Sequence, residues 1–159
     1  MATAPALQLP DVEAMTAEEA LLWAYEQFGD RMCLTCSWQR QSSVLVHMVF
    51  GELGLKIPVV ELDTQLFFKE TYELWREVEQ RYETKVEVFE GPAPDVLAAT
   101  HGDELWERKP DLYLALAKVE PLVRALGDLD AWITGIRRDQ SPTRANALKL
   151  GWDATHELW

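Results

Sequence analysis

Short apolar runs at 32–35, 57–62, 86–89 and 131–134 alternate along this chain with stretches of helical periodicity, and that alternation leaves few ways to fold. Runs of this length read as strands, and those at 32–35, 57–62 and 131–134 as buried ones. Strands of that kind separated by helices predict an α/β domain: a mostly parallel sheet with helices on both faces. In such sheets ligands sit in the crevice beyond the carboxyl ends of the strands, so the loops that follow the strands are the first place to look for function.

Thr16-Ala17-Glu18-Glu19 has the form of a capping box, and Ala20, Leu21, Trp23, Ala24 and Phe28 follow at helical spacing until Gly29-Asp30, which predicts an N-terminal helix over 16–29. A second helix is predicted through Val44, Leu45, His47, Met48 and Leu53, ending at Gly54. A third, amphipathic one spans 67–82. Gly91-Pro92-Ala93-Pro94 breaks the chain before a short helix through Leu97, and 112–126 reads as helical with Pro121 as a kink. No repeat, low-complexity tract or linker divides the chain. The expectation is one domain over 1–159, with a nucleotide-binding core at 31–146 and an unassigned tail at 147–159 whose Trp152 and Trp159 are packed or part of an interface.

The formal net charge of −12 excludes a general nucleic-acid surface, because no broad basic stripe is available to displace counterions. Residues 1–15 lack a basic stretch followed by an apolar run, and no later stretch approaches the length of a membrane span, so a cytoplasmic protein is expected. Cys33 and Cys36 form a C-x-x-C, yet they lie in a predicted strand rather than at a helix N-terminus, and no second Cys or His pair completes a zinc site. They are expected to be structural thiols. No metal ligand is assigned. His47 and His101 have no partner spacing that suggests catalysis.

Against this acidic background, the loop after the fourth strand concentrates Arg137, Arg138 and Arg144 with Gln140, Ser141 and Thr143. Planar guanidinium forks suit a ligand carrying phosphate or sulfate oxygens. The plain alternative is a solvated loop whose arginines pair with neighbouring carboxylates. Loop 37–43 after the first strand and Leu62-Asp63-Thr64 after the second are expected on the same rim of the sheet.

Taken in order, Ser37-Trp38-Gln39-Arg40-Gln41-Ser42-Ser43-Val44-Leu45, Leu62-Asp63-Thr64 with Glu70-Thr71-Tyr72, Lys118-Val119-Glu120-Pro121-Leu122, and Gly135-Ile136-Arg137-Arg138-Asp139-Gln140-Ser141-Pro142-Thr143-Arg144 resemble the motifs of the phosphoadenylyl-sulfate (PAPS) and adenylyl-sulfate (APS) reductases of assimilatory sulfate reduction. The resemblance runs from about Met32 to Asn146. It implies an adenine nucleotide alpha hydrolase-like, Rossmann-like sheet that binds an adenosine phosphosulfate. By that resemblance Ser37, Gln41, Ser42 and Ser43 belong to a modified phosphate loop, where backbone N–H groups and a helix N-terminus hold an anion. Leu62, Asp63 and Thr64 lie beside the adenosine, Lys118 approaches the phosphosulfate, and Gly135, Arg137, Arg138, Gln140, Ser141 and Arg144 form the loop that closes over it. The residues leave other roles open: Asp63 as a turn residue, Lys118 as a solvated helix lysine, Ser42 and Ser43 as capping hydroxyls. Trp38 is expected to pack against the sheet edge rather than to stack on adenine.

The chain departs from the family pattern in several places. Gln39 stands where a glycine is usual. Tyr113-Leu114 occupies the position of the paired cysteines that ligate iron and sulfur in many adenylyl-sulfate reductases, so no cluster is expected; with Gln41 this leans the reading toward the PAPS type. The family continues to a Glu-Cys-Gly-Leu-His segment whose cysteine attacks sulfur and is later relieved by thioredoxin, whereas this sequence stops at Trp159. No catalytic residue is therefore assigned, and the expectation is the nucleotide-binding part of a PAPS reductase: a fragment, a truncated product or half of a split protein, with a homodimer left open. In the full-length family the reaction yields sulfite and adenosine 3′,5′-bisphosphate and feeds cysteine biosynthesis. The rival readings are an APS reductase relative, an ATP pyrophosphatase, for which 37–43 lacks the glycines and aspartate of a pyrophosphate loop, and a non-catalytic interaction module.

Overall fold

The computed structural model of the protein describes residues 4–159. Its four strands, β1 (Met32–Thr35), β2 (Val59–Asp63), β3 (Val86–Glu90) and β4 (Ala131–Ile133), take the order β3-β2-β1-β4. β1 and β4 pair in parallel, with Met32 opposite Ala131 and Leu34 opposite Ile133. The expected α/β parallel sheet is what forms. The described residues gather into two compact units, one from residues up to Val59 together with Asp128–Trp159, the other Val60–Gly127.

In the first unit the predicted capping box closes α1 (Ala17–Phe28): Glu19 N donates to Thr16 Oγ1 at 3.2 Å and Thr16 N donates to Glu19 Oε2 at 2.8 Å. Gly29 ends the helix at φ +54°, a conformation that any side chain would strain. β1 then enters the core, with Met32, Cys33 and Leu34 fully buried, and Leu34 N donates to Pro58 O at 2.9 Å. Both thiols, Cys33 and Cys36, are buried as expected. α2 (Arg40–Val46) widens without interruption into a π turn over His47–Glu52, where Leu53 N reaches back to Met48 O. The periodicity places that helix correctly but carries no trace of the widening.

The tail, unassigned from sequence, adds to the outer edge of β4. Trp159 N donates to Asp130 O at 2.8 Å, and Trp132 N donates to Trp159 O at 2.9 Å. Leu158 is buried, and Trp152 meets Trp159 edge to face at 5.6 Å. Edge strands with unpaired backbone groups invite foreign pairing, and the tail supplies a partner from the same chain.

Arg31 and Asp130 clamp the entrances to β1 and β4. Arg31 Nε and Nη2 donate to the two carboxylate oxygens of Asp130 at 2.5 and 2.8 Å, and Asp130 N donates to Arg31 O at 2.8 Å. The hydrogen bond from Arg31 holds the Asp130 carboxyl below the usual carboxylate range. A lowered folded-state value means this contribution is complete above the ordinary Asp value and is lost as pH falls through the folded one. Both side chains are about half exposed, so solvent screening keeps the contribution of the pair small. Asp130→Asn is expected to remove that small increment in urea unfolding at pH 7 and to leave stability unchanged at a pH where Asp130 is already protonated.

In the second unit, α3 (Lys69–Tyr82) begins two residues later than its periodicity predicts, with Phe68 extended at its N-cap. α4 (Pro94–His101) and α5 (Leu105–Arg108) are short. The segment predicted as one kinked helix runs as α6 (Pro110–Leu114), a π turn over Ala115–Val119, and α7 (Glu120–Leu126). Pro121 has no N–H to return to the carbonyls of Leu116 or Ala117, and the helix accommodates this by widening one turn before it rather than by breaking. Arg124 ties the end of β3 to α7, donating to Glu90 O and to the Glu120 carboxylate. Among the described residues no helix is long and apolar enough to cross a membrane.

Candidate functional site

The residues singled out from sequence fall into two groups, one in each unit. In the first unit the loop between β1 and α2 turns sharply at Trp38, which takes φ +54° and is buried. A bulky residue in the left-handed region is uncommon and costs on the order of 1–3 kcal/mol unless its surroundings enforce it. The glycine-like conformation thus falls on Trp38, while Gln39, where the family usually has glycine, is extended at φ −79°.

The loop is knitted by its own hydroxyls. Ser42 Oγ accepts from Ser37 N at 3.3 Å and lies 3.0 Å from Ser37 Oγ, while Ser43 N and Ser43 Oγ both donate to Gln39 O. Gly135, at the end of β4, lies against this turn: a methyl group there would come within 3.0 Å of Gln41 Cγ and 3.5 Å of Ser42 Oγ. Arg137 crosses to the same turn, with Nη1 donating to Gln41 Oε1 at 3.0 Å and Nε to Asp139 Oδ1 at 3.0 Å. Gln140 Oε1 collects Arg137 N at 3.1 Å and Arg144 Nη1 at 2.5 Å, and Ser141 Oγ meets Thr143 Oγ1 at 2.9 Å. Gln39, Gln41, Gly135 and Arg137 line a cleft of about 1290 Å³ whose walls are otherwise largely apolar. Ser37, Gln41, Ser42, Gly135, Arg137, Gln140 and Arg144 therefore form one connected cluster. Arg138 also lines the cleft but makes its hydrogen bonds outside the cluster: Nη2 donates to Glu13 Oε2 at 2.7 Å and Nε to Ala147 O at 2.8 Å.

In the second unit Asp63 ends β2 as a buried turn residue. Its Oδ1 accepts from Gln65 N at 2.6 Å, and Tyr72 Oη donates to both carboxylate oxygens at 3.0 and 3.1 Å. Burial, reinforced by that carboxylate, raises the Tyr72 phenol above its ordinary value. Lys118, on the π turn, donates from Nζ to Leu62 O at 2.9 Å and lies 5.3 Å from the centre of the Phe67 ring. Desolvation pulls its ammonium below the usual lysine range, and the carboxylates of Glu61 and Asp63 act in the opposite direction. Lys118 is thus wired to the strand rather than being a solvated helix lysine. Thr64 lines a second, apolar cavity of about 210 Å³ with Leu97, Leu105, Trp106 and Tyr113. Within this unit Leu62, Asp63 and Lys118 are neighbours, and Thr64 follows them in the chain.

Residues 31–157 match the family described as Phosphoadenosine phosphosulfate reductase domain. The chain belongs to that family. The match continues beyond Asn146, where the motifs end, and takes in most of the tail that sequence reading leaves unassigned. Among relatives, the chain is 40% identical over 137 residues to Adenosine 5′-phosphosulfate reductase of Halalkalibacterium halodurans, covering 85% of this chain and 59% of the relative. It is 40% identical over 139 residues to Adenosine 5′-phosphosulfate reductase 1 of Bacillus subtilis, covering 86% and 59%. The chain therefore spans about three-fifths of the length of these reductases. Among solved structures, it resembles the phosphoadenylyl-sulfate (PAPS) reductase of Candida auris in its phosphate complex, with a TM-score of 0.71 and 28% identity over 87% of this chain and 72% of that one.

Family membership explains why four motifs occur in this order, but it does not mark the residues that the motif side chains meet within each unit: Glu13 beside Arg138 in the first, Glu61 and Phe67 beside Lys118 in the second. Glu61, Phe67 and Glu13 carry no motif signal. Glu61 is a buried acidic residue in an apolar strand, and that mismatch with its neighbours is a signal that could have found it. Glu13 sits in a short 3₁₀ turn, Val12–Ala14, far from every motif along the chain.

Proposed function

We propose that this chain binds an adenosine phosphosulfate and serves its two-electron reduction to sulfite in assimilatory sulfate reduction, with thioredoxin as the reductant and adenosine 3′,5′-bisphosphate or AMP as the nucleotide product. The observation that carries the reading is the Arg137–Gln41–Gln140–Arg144 cluster, which holds two guanidinium groups beside the turn after β1 in a protein of net charge −12. Forked donors of this kind suit the spread oxygens of a phosphosulfate. In the second unit Lys118 supplies a partly desolvated ammonium, and the backbone around Leu62, Asp63 and Thr64 is proposed to contact the adenosine. No catalytic nucleophile is assigned: Cys33 and Cys36 are buried in and beside β1, out of reach of a reacting sulfur.

Two observations pull the substrate's 3′ position in opposite directions. Relatives named for adenosine 5′-phosphosulfate favour the form without a 3′-phosphate. Tyr113 and Leu114, which offer no thiolate for an iron–sulfur cluster, favour the 3′-phosphorylated form by the family's pattern and support a cluster-free protein. Titration calorimetry with AMP and with adenosine 3′,5′-bisphosphate in parallel decides between them, and iron content with visible absorption reports on the cluster. Arg137→Ala is expected to weaken the tighter of the two nucleotides by about tenfold or more, the scale of one lost charge-assisted hydrogen bond. Absence of binding heat for both nucleotides would remove the proposal.

A further inference from the structure

The first unit contains a carboxylate that holds both ends of the arginine loop at once. Glu13 lies in the 3₁₀ turn Val12–Ala14, 125 residues before Arg138. Its Oε2 accepts from Arg138 Nη2 at 2.7 Å, and its Oε1 accepts from Lys149 N at 2.7 Å. Lys149 Nζ turns back onto the same turn and donates to Glu13 O at 2.8 Å and Met15 O at 2.6 Å. Arg138 Nε donates to Ala147 O at 2.8 Å, which draws the two ends of the segment together from within. Between these anchors runs irregular chain, relieved only by the 3₁₀ turn Pro142–Arg144, and on it sit Gln140, Ser141 and Arg144.

We infer that Glu13 and Arg138 form the anchor of the arginine loop, so that Glu13 positions Gln140 and Arg144 for nucleotide while Arg138 works through Glu13 rather than by touching the ligand. This rests on the proposed binding of an adenosine phosphosulfate and assigns Arg138 a different task from that of its neighbour. Arg137 faces Gln41 and the turn after β1, whereas Arg138 spends Nη2 on Glu13 and Nε on a carbonyl of its own loop. The two consecutive arginines turn to different partners, so one can serve a ligand while the other serves the scaffold. An isolated exposed ion pair contributes little to global stability. Here the carboxylate instead joins two points of one flexible segment, and the effect falls on how many conformations that segment samples before a ligand arrives. Both oxygens are in use, Oε2 on a guanidinium and Oε1 on a backbone N–H.

Glu13→Gln keeps an acceptor for Lys149 N but turns an amide donor toward the Arg138 guanidinium. Calorimetric titration with the tighter of AMP and adenosine 3′,5′-bisphosphate is expected to show about five- to tenfold weaker binding in Glu13→Gln and in Arg138→Gln, and no further loss in the double variant. Arg138→Lys, which retains a cation for Glu13 but loses the fork, is expected to stay within about threefold of the parent protein. Amide hydrogen exchange across residues 139–147 is expected to accelerate in Glu13→Gln without nucleotide present, at a temperature well below the unfolding midpoint of every variant. Losses that add in the double variant would mean that Arg138 meets the nucleotide independently, and would overturn the inference. So would unchanged affinity in Glu13→Gln, even with a lowered unfolding midpoint. Should the parent protein bind neither nucleotide, the binding proposal and the positioning role fall together, and unaccelerated exchange in 139–147 would separately remove the anchor.

Discussion

Gly91→Ala is expected to destabilise the protein by about 2–3 kcal/mol, among the larger effects available from adding one methyl group. A Cβ built on Gly91 would stand 2.5 Å from Leu116 O and 2.9 Å from Ala117 Cα. Both are backbone atoms, so no side-chain rotation relieves the clash, and either the turn after β3 or the helix must move. The part of the helix struck is the π turn Ala115–Val119, already widened ahead of Pro121 and carrying Lys118. Affinity for nucleotide is therefore expected to fall together with stability. Gly127→Ala is the matched control: its Cβ would meet only Val123 O at 3.6 Å and Arg124 O at 3.7 Å, ordinary contacts. With a negative φ of −56° at that position, alanine is expected to be neutral or stabilising by up to about 1 kcal/mol. Urea unfolding of the three proteins checks this, and equal midpoints for Gly91→Ala and Gly127→Ala would refute the close approach.

On the proposed role of Lys118, Lys118→Met is expected to weaken nucleotide binding by about thirty- to hundredfold, the scale of a lost charge-assisted contact. The substitution keeps the unbranched stem over Phe67 and removes only the ammonium, together with its hydrogen bond to Leu62 O. Stability is pulled two ways. A partly desolvated charge disappears, which helps, but Glu61, at 1% exposure, and Asp63 lose the cation facing them, which harms. Carboxylates so buried cannot recover their hydration, so the net effect is expected to be a loss of about 1–3 kcal/mol.

The pH dependence separates the contribution of Lys118 to stability from its proposed part in anion binding. Its folded-state value lies below the ordinary lysine value of 10.5, so the unfolded chain holds the proton more tightly. Stability from this group alone rises as pH climbs from the folded value toward 10.5. Anion binding runs the other way and is lost through the same window as the ammonium discharges. In Lys118→Met the affinity is expected to be flat across that window, whereas Lys118→Arg, charged throughout, retains it. A parent protein whose affinity does not fall there would show that Lys118 does not serve the anion.

Much of the architecture could be read locally. The capping box at Thr16 and Glu19, the buried runs of β1 and β2 and the parallel alternation depend on propensity and periodicity over a few residues, and they form as expected. The two π turns were invisible because a helix of slightly greater girth keeps nearly the same apolar spacing. Strand and helix bounds moved by one or two residues where an extended residue such as Phe68 took the cap. The tail gave no pattern because its order comes from Trp159 pairing with β4 and Leu158 entering the core, contacts with residues far away in the chain.

The sequence by itself determined which chemical groups the protein carries: three arginines in one loop, a lysine one turn before Pro121, serines after the first strand, and motifs whose order marks the family. Side-chain type and local spacing are written directly in the chain. Only the tertiary structure decided how those groups are employed, sending Arg137 toward Gln41 and Arg138 toward Glu13, and setting Lys118 against the carbonyl of Leu62. Partnerships between residues many tens of positions apart depend on which surfaces the folded backbone brings within hydrogen-bonding distance, and no local rule of spacing contains that distance.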